Sequence, residues 1–219
     1  MAGTGQIVIA CPHCGRLART ARLSSDLHLD AQVWTDGKWV VPGEPEPPEV
    51  GICPGCGGYY WVEEIEPMGI IPPEGETDPS IAADAAWLES EWVGEPSQQE
   101  YLAILESYGP LPAEEEMNLR LLAWWRGNDD RRRPEPGGVR SLDAAEVQNL
   151  RRLMELLDPN ELDQRVFMAE ILRQLGQFEA AEQALQGITS VGYLRAVSRI
   201  RQLAKAQDPH LARIDELKG

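Results

Sequence analysis

The chain contains no lysine or arginine between Lys38 and Arg120, although 18 aspartates and glutamates fall in that stretch. Removing it leaves 20 basic and 18 acidic residues (36 minus 18), so the block 39–119 contributes −18 and the remainder +2 to the net charge of −16. A phosphate backbone is bound through lysine and arginine that release counterions. The charge therefore speaks against nucleic acid as a partner. A solvated acidic face accounts for the block, and so does a surface that meets a basic partner. Long apolar runs are also missing, which excludes a membrane-spanning helix from the expectation. No basic region precedes Ile7-Val8-Ile9-Ala10, so no secretory signal is expected and the compartment is taken as cytoplasmic.

Catalytic signatures are missing too. The three histidines, His13, His28 and His210, sit in no nucleophile or metal-ligand motif. There is no phosphate-cradling glycine loop, no nucleophile elbow and no H-E-x-x-H. Glu63 and Glu64, adjacent in a strand-like run, point to opposite faces and cannot act as a pair. The expectation is a protein without enzymatic chemistry. At 219 residues, 42% hydrophobic and 26% charged, it has the composition of one large globular domain or two modest ones.

Four cysteines stand out against these absences. Cys11-Pro12-His13-Cys14-Gly15 and Cys53-Pro54-Gly55-Cys56-Gly57 are near copies of one knuckle. Two cysteines three apart grip one ion from a tight turn. Proline stiffens that turn, and the trailing glycine permits a positive φ that aims backbone N–H groups at the sulfurs. In a reducing compartment such matched pairs indicate metal before disulfides. Cys11, Cys14, Cys53 and Cys56 are the expected ligands of a structural Zn2+, since four thiolates complete its tetrahedron. Two such knuckles also resemble the iron site of rubredoxins, which leaves an iron redox protein as an alternative. His13, between two ligands, reads as a solvent-facing position.

The expected fold class is α+β, a small β zinc ribbon over residues 1–66 followed by an all-α domain over 80–219. Strands are expected at 6–10 and 58–65. Gln32-Val33-Trp34-Thr35 and Lys38-Trp39-Val40-Val41 flank Asp36-Gly37, a signal for a hairpin with a type I′ turn. The proline-rich segment 42–48 reads as a loop and the Pro/Gly-rich stretch 67–79 as a linker. Helices are expected at 80–92 behind an Asp78 or Ser80 cap, at 97–107, and from Pro112 to Trp125. Residues 127–138, with Arg131-Arg132-Arg133, read as a polar loop. Ser141 then caps a helix carrying Val147, Leu150, Met154 and Leu157. Further helices follow at 161–175, closed by Gly176, then through Phe178, Ala181, Leu185 and Ile188, and through Tyr193, Val197, Ile200 and Ala204. Trp34, Trp39 and Trp61 are expected to pack around the ribbon. Of the adjacent Trp124 and Trp125, about 100° apart on a helix, one is expected in the core. A surface Trp125 beside Arg126 would serve as an interaction anchor.

Met168, Ala169, Leu172, Gly176, Phe178, Ala181, Leu185 and Ile188 resemble a tetratricopeptide repeat near 161–188, although Arg165 stands about where that family has tryptophan. A generic helical hairpin with a glycine turn fits the same residues. The two knuckles, the hairpin Trp34-Thr35-Asp36-Gly37-Lys38, the loop 41–48 and the strand ending at Trp61 together resemble an uncharacterised family of bacterial zinc-ribbon proteins. The run from Leu121 through Trp124-Trp125-Arg126-Gly127-Asn128-Asp129 and the tetratricopeptide-like residues extend the likeness. The resemblance implies architecture and a protein partner for the helical part, without naming one. A zinc-ribbon regulator associated with nucleic acid is the second expectation, supported by Arg16, Arg19, Arg22 and the arginines at 131–133. Exposed β edges and helical arrays both associate readily, so a homodimer remains open.

Overall fold

A computed structural model describes residues 5–22, 31–43, 46–73, 84–107, 109–133 and 140–214. In chain order the strands are β1 (Gln6–Ala10), β2 (Leu17–Ala21), β3 (Gln32–Val33), β4 (Trp39–Val40), β5 (Val50–Ile52), β6 (Tyr59–Trp61), β7 (Gly69–Ile71) and β8 (Glu91–Trp92). The helices are α1 (Ala85–Leu88), α2 (Gln98–Ser107), α3 (Ala113–Arg132), α4 (Ala144–Leu156), α5 (Leu162–Gln174), α6 (Phe178–Ala184) and α7 (Leu194–Lys205). The fold is thus mixed α+β. It divides into two compact units, Met1–Asp30 with Val41–Pro96, and Ala31–Val40 with Ser97–Gly219.

In the first unit, β1 pairs antiparallel with β2 on one side and with β7 on the other, and β2 pairs parallel with β8. β5 and β6 form a separate antiparallel hairpin. One short stretch joins the two hairpins. Val93 donates to the Arg19 carbonyl at 2.9 Å, while Gly94 and Ile52 exchange backbone hydrogen bonds at 2.8 and 3.1 Å. Apolar burial follows from that closure. Ile9, Cys11, Ala18, Cys53, Tyr60 and Val93 make one core. The sheet is covered on its other face as well, because Val8 is fully buried and Trp87 of α1 packs where a Cβ on Gly69 would stand.

Three expectations fail in this unit. The stretch 67–79 is not simply a linker, since β7 lies within it and completes the β1 edge; residues 74–79 lie outside the described residues. The helix expected at 80–92 is a single turn, because Asp84 caps α1 and the chain re-enters the sheet at Glu91. The Asp78 and Ser80 caps lie outside the described residues. The strand at 58–65 ends at Trp61, where Val62–Glu64 curl into a 3-10 turn.

The second unit holds α2 to α7 and, unexpectedly, the Asp-Gly hairpin. β3 pairs with β4 in the register Gln32↔Val40 and Val33↔Trp39. On its other edge β3 takes up the chain near 212–214, through Thr35 N–H to the Ala212 carbonyl and Ile214 N–H to the Val33 carbonyl. The turn is not type I′. Gly37 has φ +82 but Asp36 is not in the positive region, and Gly37 N–H bonds the Trp34 carbonyl while Trp34 N–H bonds that of Lys38. That pattern is a type I turn followed by a left-handed glycine, the usual three-residue hairpin loop.

Long-range bonds also redraw the helices. α3 continues to Arg132 through the residues expected to form a loop, of which 134–138 lie outside the described residues. α4 is capped by Asp143, not Ser141, in a full capping box with Glu146. After α5 the chain turns at Gly176, φ +75, with Gln177 N–H reaching back to Leu172 and Gly176 N–H to Arg173. α5, α6 and α7 share the core of Val166, Ala169, Leu185, Ile188, Val197 and Ile200. Trp124, Leu150, Leu153, Leu157 and Ile171 form a second core nearer α3 and α4.

Candidate metal centre

Each cysteine pair sits where a β hairpin turns. In the first knuckle Gly15 N–H bonds the Cys11 carbonyl, Cys11 N–H bonds the Arg16 carbonyl, and Gly15 adopts φ +73. In the second, Gly57 N–H bonds the Cys53 carbonyl, Cys53 N–H bonds the Gly58 carbonyl, and Gly57 adopts φ +70. The tight turns aim N–H groups at sulfur, as the motif implies. His13 N–H lies 3.4 Å from Cys11 Sγ, and Gly55 N–H lies 3.3 Å from Cys53 Sγ. The His13 ring bonds the Tyr59 carbonyl from a solvent-facing position.

The two knuckles bring four sulfurs together. Cys11 Sγ lies 3.8 Å from Cys56 Sγ and Cys14 Sγ 3.7 Å from Cys53 Sγ, and all four lie within 4.8 Å of one another. Sulfurs about 2.3 Å from a central ion in a tetrahedron are about 3.8 Å apart. A disulfide needs about 2.0 Å. The donor set fits one metal ion. Cys11 and Cys53 are buried in the core while Cys14 and Cys56 are exposed, so the site is anchored on one side and open to solvent on the other.

The electrostatics also favour an ion. Cys53 is brought down to about 6, because the N–H groups of Cys56 and Gly55 outweigh the burial that opposes its thiolate. Cys14 moves the other way, up to about 12: the Arg16 N–H favours its thiolate, but partial desolvation within the cluster and the neighbouring sulfurs of Cys56, Cys53 and Cys11 together outweigh it. Four adjacent sulfurs cannot all ionise unaided. A bound cation removes that conflict, and its binding releases protons.

Other residues singled out by sequence have different fates. Arg131 and Arg132 are buried in ion pairs within the helical unit, with Glu146 at 2.8 Å and with Asp36 respectively. They do not form an exposed basic patch. Arg16 pairs with Glu91 at 2.7 Å, and Arg19 lies over the Trp92 ring, 5.0 Å from its centroid. Trp34 packs in the helical unit, beneath Arg132, and Trp39 is 63% exposed; neither packs around the ribbon. Trp124 is buried, and Trp125 is tied down by its Nε1 donating to the Asp36 carbonyl. His28 lies outside the described residues.

What sequence reasoning missed is the polar network under the hairpin. The Asp36 carboxylate accepts from Asn128 at 2.9 Å and from Arg132, and Thr35 donates to Glu170 at 2.7 Å. Burial pushes the Asp36 carboxyl up against the pull of Arg132, Asn128 and the Lys38 N–H. Glu170 in turn binds Arg173 and Gln174, and Gln174 accepts from the Trp124 indole at 3.0 Å. The signal was present in Trp34-Thr35-Asp36-Gly37-Lys38 and in Trp124 to Asp129, but nothing local says that these two runs face each other.

Fold and site thus define a β unit with a four-cysteine site positioned to bind a metal ion, in one chain with a unit of α-helices. No helix among the described residues is long and apolar enough to cross a membrane. No protein-family model, no curated protein and no solved structure matches the chain.

Proposed function

We propose that the protein is a cytoplasmic, zinc-binding adaptor with no enzymatic chemistry of its own, in which a zinc ribbon accompanies a tetratricopeptide-like protein-binding unit. The four-cysteine geometry carries the reading. Four thiolates at tetrahedral spacing complete the coordination of zinc and leave no position for water or substrate. The ion is structural on this reading. Its binding, worth roughly 10–16 kcal/mol in small zinc-binding peptides, holds together two hairpins that share only a small core. The helical unit adds α5 and α6 joined at Gly176, with the residues that resemble one repeat of that family.

A zinc-ribbon regulator associated with nucleic acid ranks second. Four of the six arginines that recommended it are engaged within the fold, Arg131 and Arg132 with buried carboxylates, Arg16 with Glu91 and Arg19 with Trp92, while Arg22 and Arg133 are exposed. A rubredoxin-like iron protein uses the same four sulfurs and is separated from the first reading by the metal itself. Native protein purified without added metal and analysed by elemental mass spectrometry should carry one zinc per chain. Iron with a thiolate absorption band would overturn the structural-zinc reading. Affinity capture with and without nuclease then separates the first two readings. A specific protein partner that survives nuclease supports the adaptor, and capture abolished by nuclease supports the regulator.

A further inference from the structure

Among the described residues, every ionisable side chain lining one cleft of the helical unit is basic, in a chain with 36 acidic and 20 basic residues. The cleft, about 370 Å³, is formed by the start of α4, the residues that end α5, and the segment 209–211. Arg131, Arg140, Arg151 and His210 line it, and no aspartate or glutamate among the described residues does. Their charges are compensated unequally. Arg131 and Arg140 both bond Glu146, so two guanidinium groups share one buried carboxylate. Arg131 spends its remaining donors on backbone carbonyls and Asn128 and is structural. Arg140 keeps 44% of its side chain exposed, and its other partner, Asp143, is 3.4 Å away and more than half exposed.

Arg151 has no hydrogen-bond or ion-pair partner among the described residues. It stands one turn after Val147, on the same face of α4 and in the same cleft. The Nδ1 atom of His210 is held by Asp208 at 2.8 Å, which leaves Nε2 as its other polar atom. Leu142, Val147 and Leu211 supply apolar surface in the same space. Small-molecule sites run from about 300 to 1,000 Å³ and combine apolar walls with a few convergent polar groups. This cleft falls at the small end of that range.

We infer that the cleft binds a small organic anion, a monocarboxylate with an apolar body. The guanidinium fork of Arg151, aided by Arg140, takes the carboxylate, since planar forks match carboxylates in pairs of parallel hydrogen bonds. The hydrocarbon lies against Leu142, Val147 and Leu211. The inference is independent of the metal and of the adaptor reading.

The test titrates sodium hexanoate into the uniformly ¹⁵N-labelled full chain at fixed ionic strength. Sodium acetate, 1-hexanol and inorganic phosphate are the comparison probes. Hexanoate is expected to shift the amide signals of Arg140, Val147, Arg151 and Leu211 saturably, and acetate and hexanol only weakly at equal concentration. Arg151→Glu should weaken hexanoate binding about tenfold, the scale of a lost charged hydrogen bond. Arg151→Gln should weaken it less, with the same probe and a spectrum otherwise unchanged. Absence of saturable shifts at those amides, or undiminished affinity in both variants, would overturn the inference. Phosphate binding as tightly as hexanoate would overturn the organic-anion class.

Discussion

Gly37 lies so close to Phe167 that a Cβ at position 37 would overlap the ring atom Cε1. Its backbone is also left-handed, with φ +82. Two separate constraints therefore demand glycine, and both belong to the helical unit. Gly37→Ala combines a left-handed penalty of about 1–2 kcal/mol with an overpacking cost of about 1–3 kcal/mol. We expect the urea midpoint of the helical far-ultraviolet signal to fall by an amount equal to about 2–5 kcal/mol. An unchanged midpoint would mean that the hairpin does not pack on α5.

Asp36 is fully buried and paired with Arg132, so removing Arg132 leaves a buried carboxylate without its cation, and removing Asp36 leaves the guanidinium only the partly exposed Asp129 as counter-ion. Breaking a buried pair from one side costs about 3–5 kcal/mol. Asp36→Ala should destabilise the helical signal by that amount and leave metal stoichiometry intact. Asp36→Asn with Arg132→Leu should lose less than the two single variants summed, because the orphaned charge is gone in the double variant. Urea titration of wild type, Asp36→Ala, the single variants Asp36→Asn and Arg132→Leu, and their double variant tests both statements.

Glu146 accepts from Arg131, Arg140 and the Asp143 N–H, and these bonds outweigh burial and hold its carboxyl down to about 2, below its ordinary 4.5. The unfolded chain therefore takes up this proton first as pH falls. The stabilisation is fully present above about pH 4.5 and is lost as pH drops toward 2. Its size is on the order of 3 kcal/mol. Glu146→Gln removes the term at all pH values. The stability gap between wild type and this variant should be wide at pH 6 and shrink steadily below pH 4.5, read from the same helical transition. A gap independent of pH would show that Glu146 does not gain its stabilisation as an anion.

Cys53 is 1% exposed in the ribbon core, with its sulfur beside those of Cys14 and Cys11. Cys53→Ser should abolish stoichiometric metal binding and disperse the amide signals of 5–22 and 46–71 into an unfolded spectrum. Removing the metal from wild type with a chelator should do the same and be reversible on adding zinc. Retained metal in Cys53→Ser would refute the four-cysteine assignment.

The four-cysteine cluster was legible because its chemistry is local. Each knuckle needs cysteines three apart and a glycine beyond them, and Gly15 and Gly57 take the positive φ that this spacing implies. Helix periodicity was legible at 97–107 and 161–175 for a similar reason. Errors arose where partners far away in sequence outbid local signals. Gly127 reads as a breaker, yet it lies inside α3, and glycine is needed there because Gln98 of α2 occupies the space of a side chain. Arg131 and Arg132 read as solvated charge, yet α3 carries them into carboxylates at positions 146 and 36.

By itself, the sequence determined the cysteine cluster, the α+β composition and most helix positions, because spacing and periodicity are enforced within a few residues. Only the tertiary structure decided where the Trp34 to Lys38 hairpin belongs. Its own turn chemistry is satisfied in any unit. Its assignment to the helices comes from Trp125, Asn128 and Arg132 meeting Asp36 and from Glu170 meeting Thr35, across roughly 90 to 135 positions. Burying Asp36 is tolerable only with those partners in place, and no local pattern records a partner that distant.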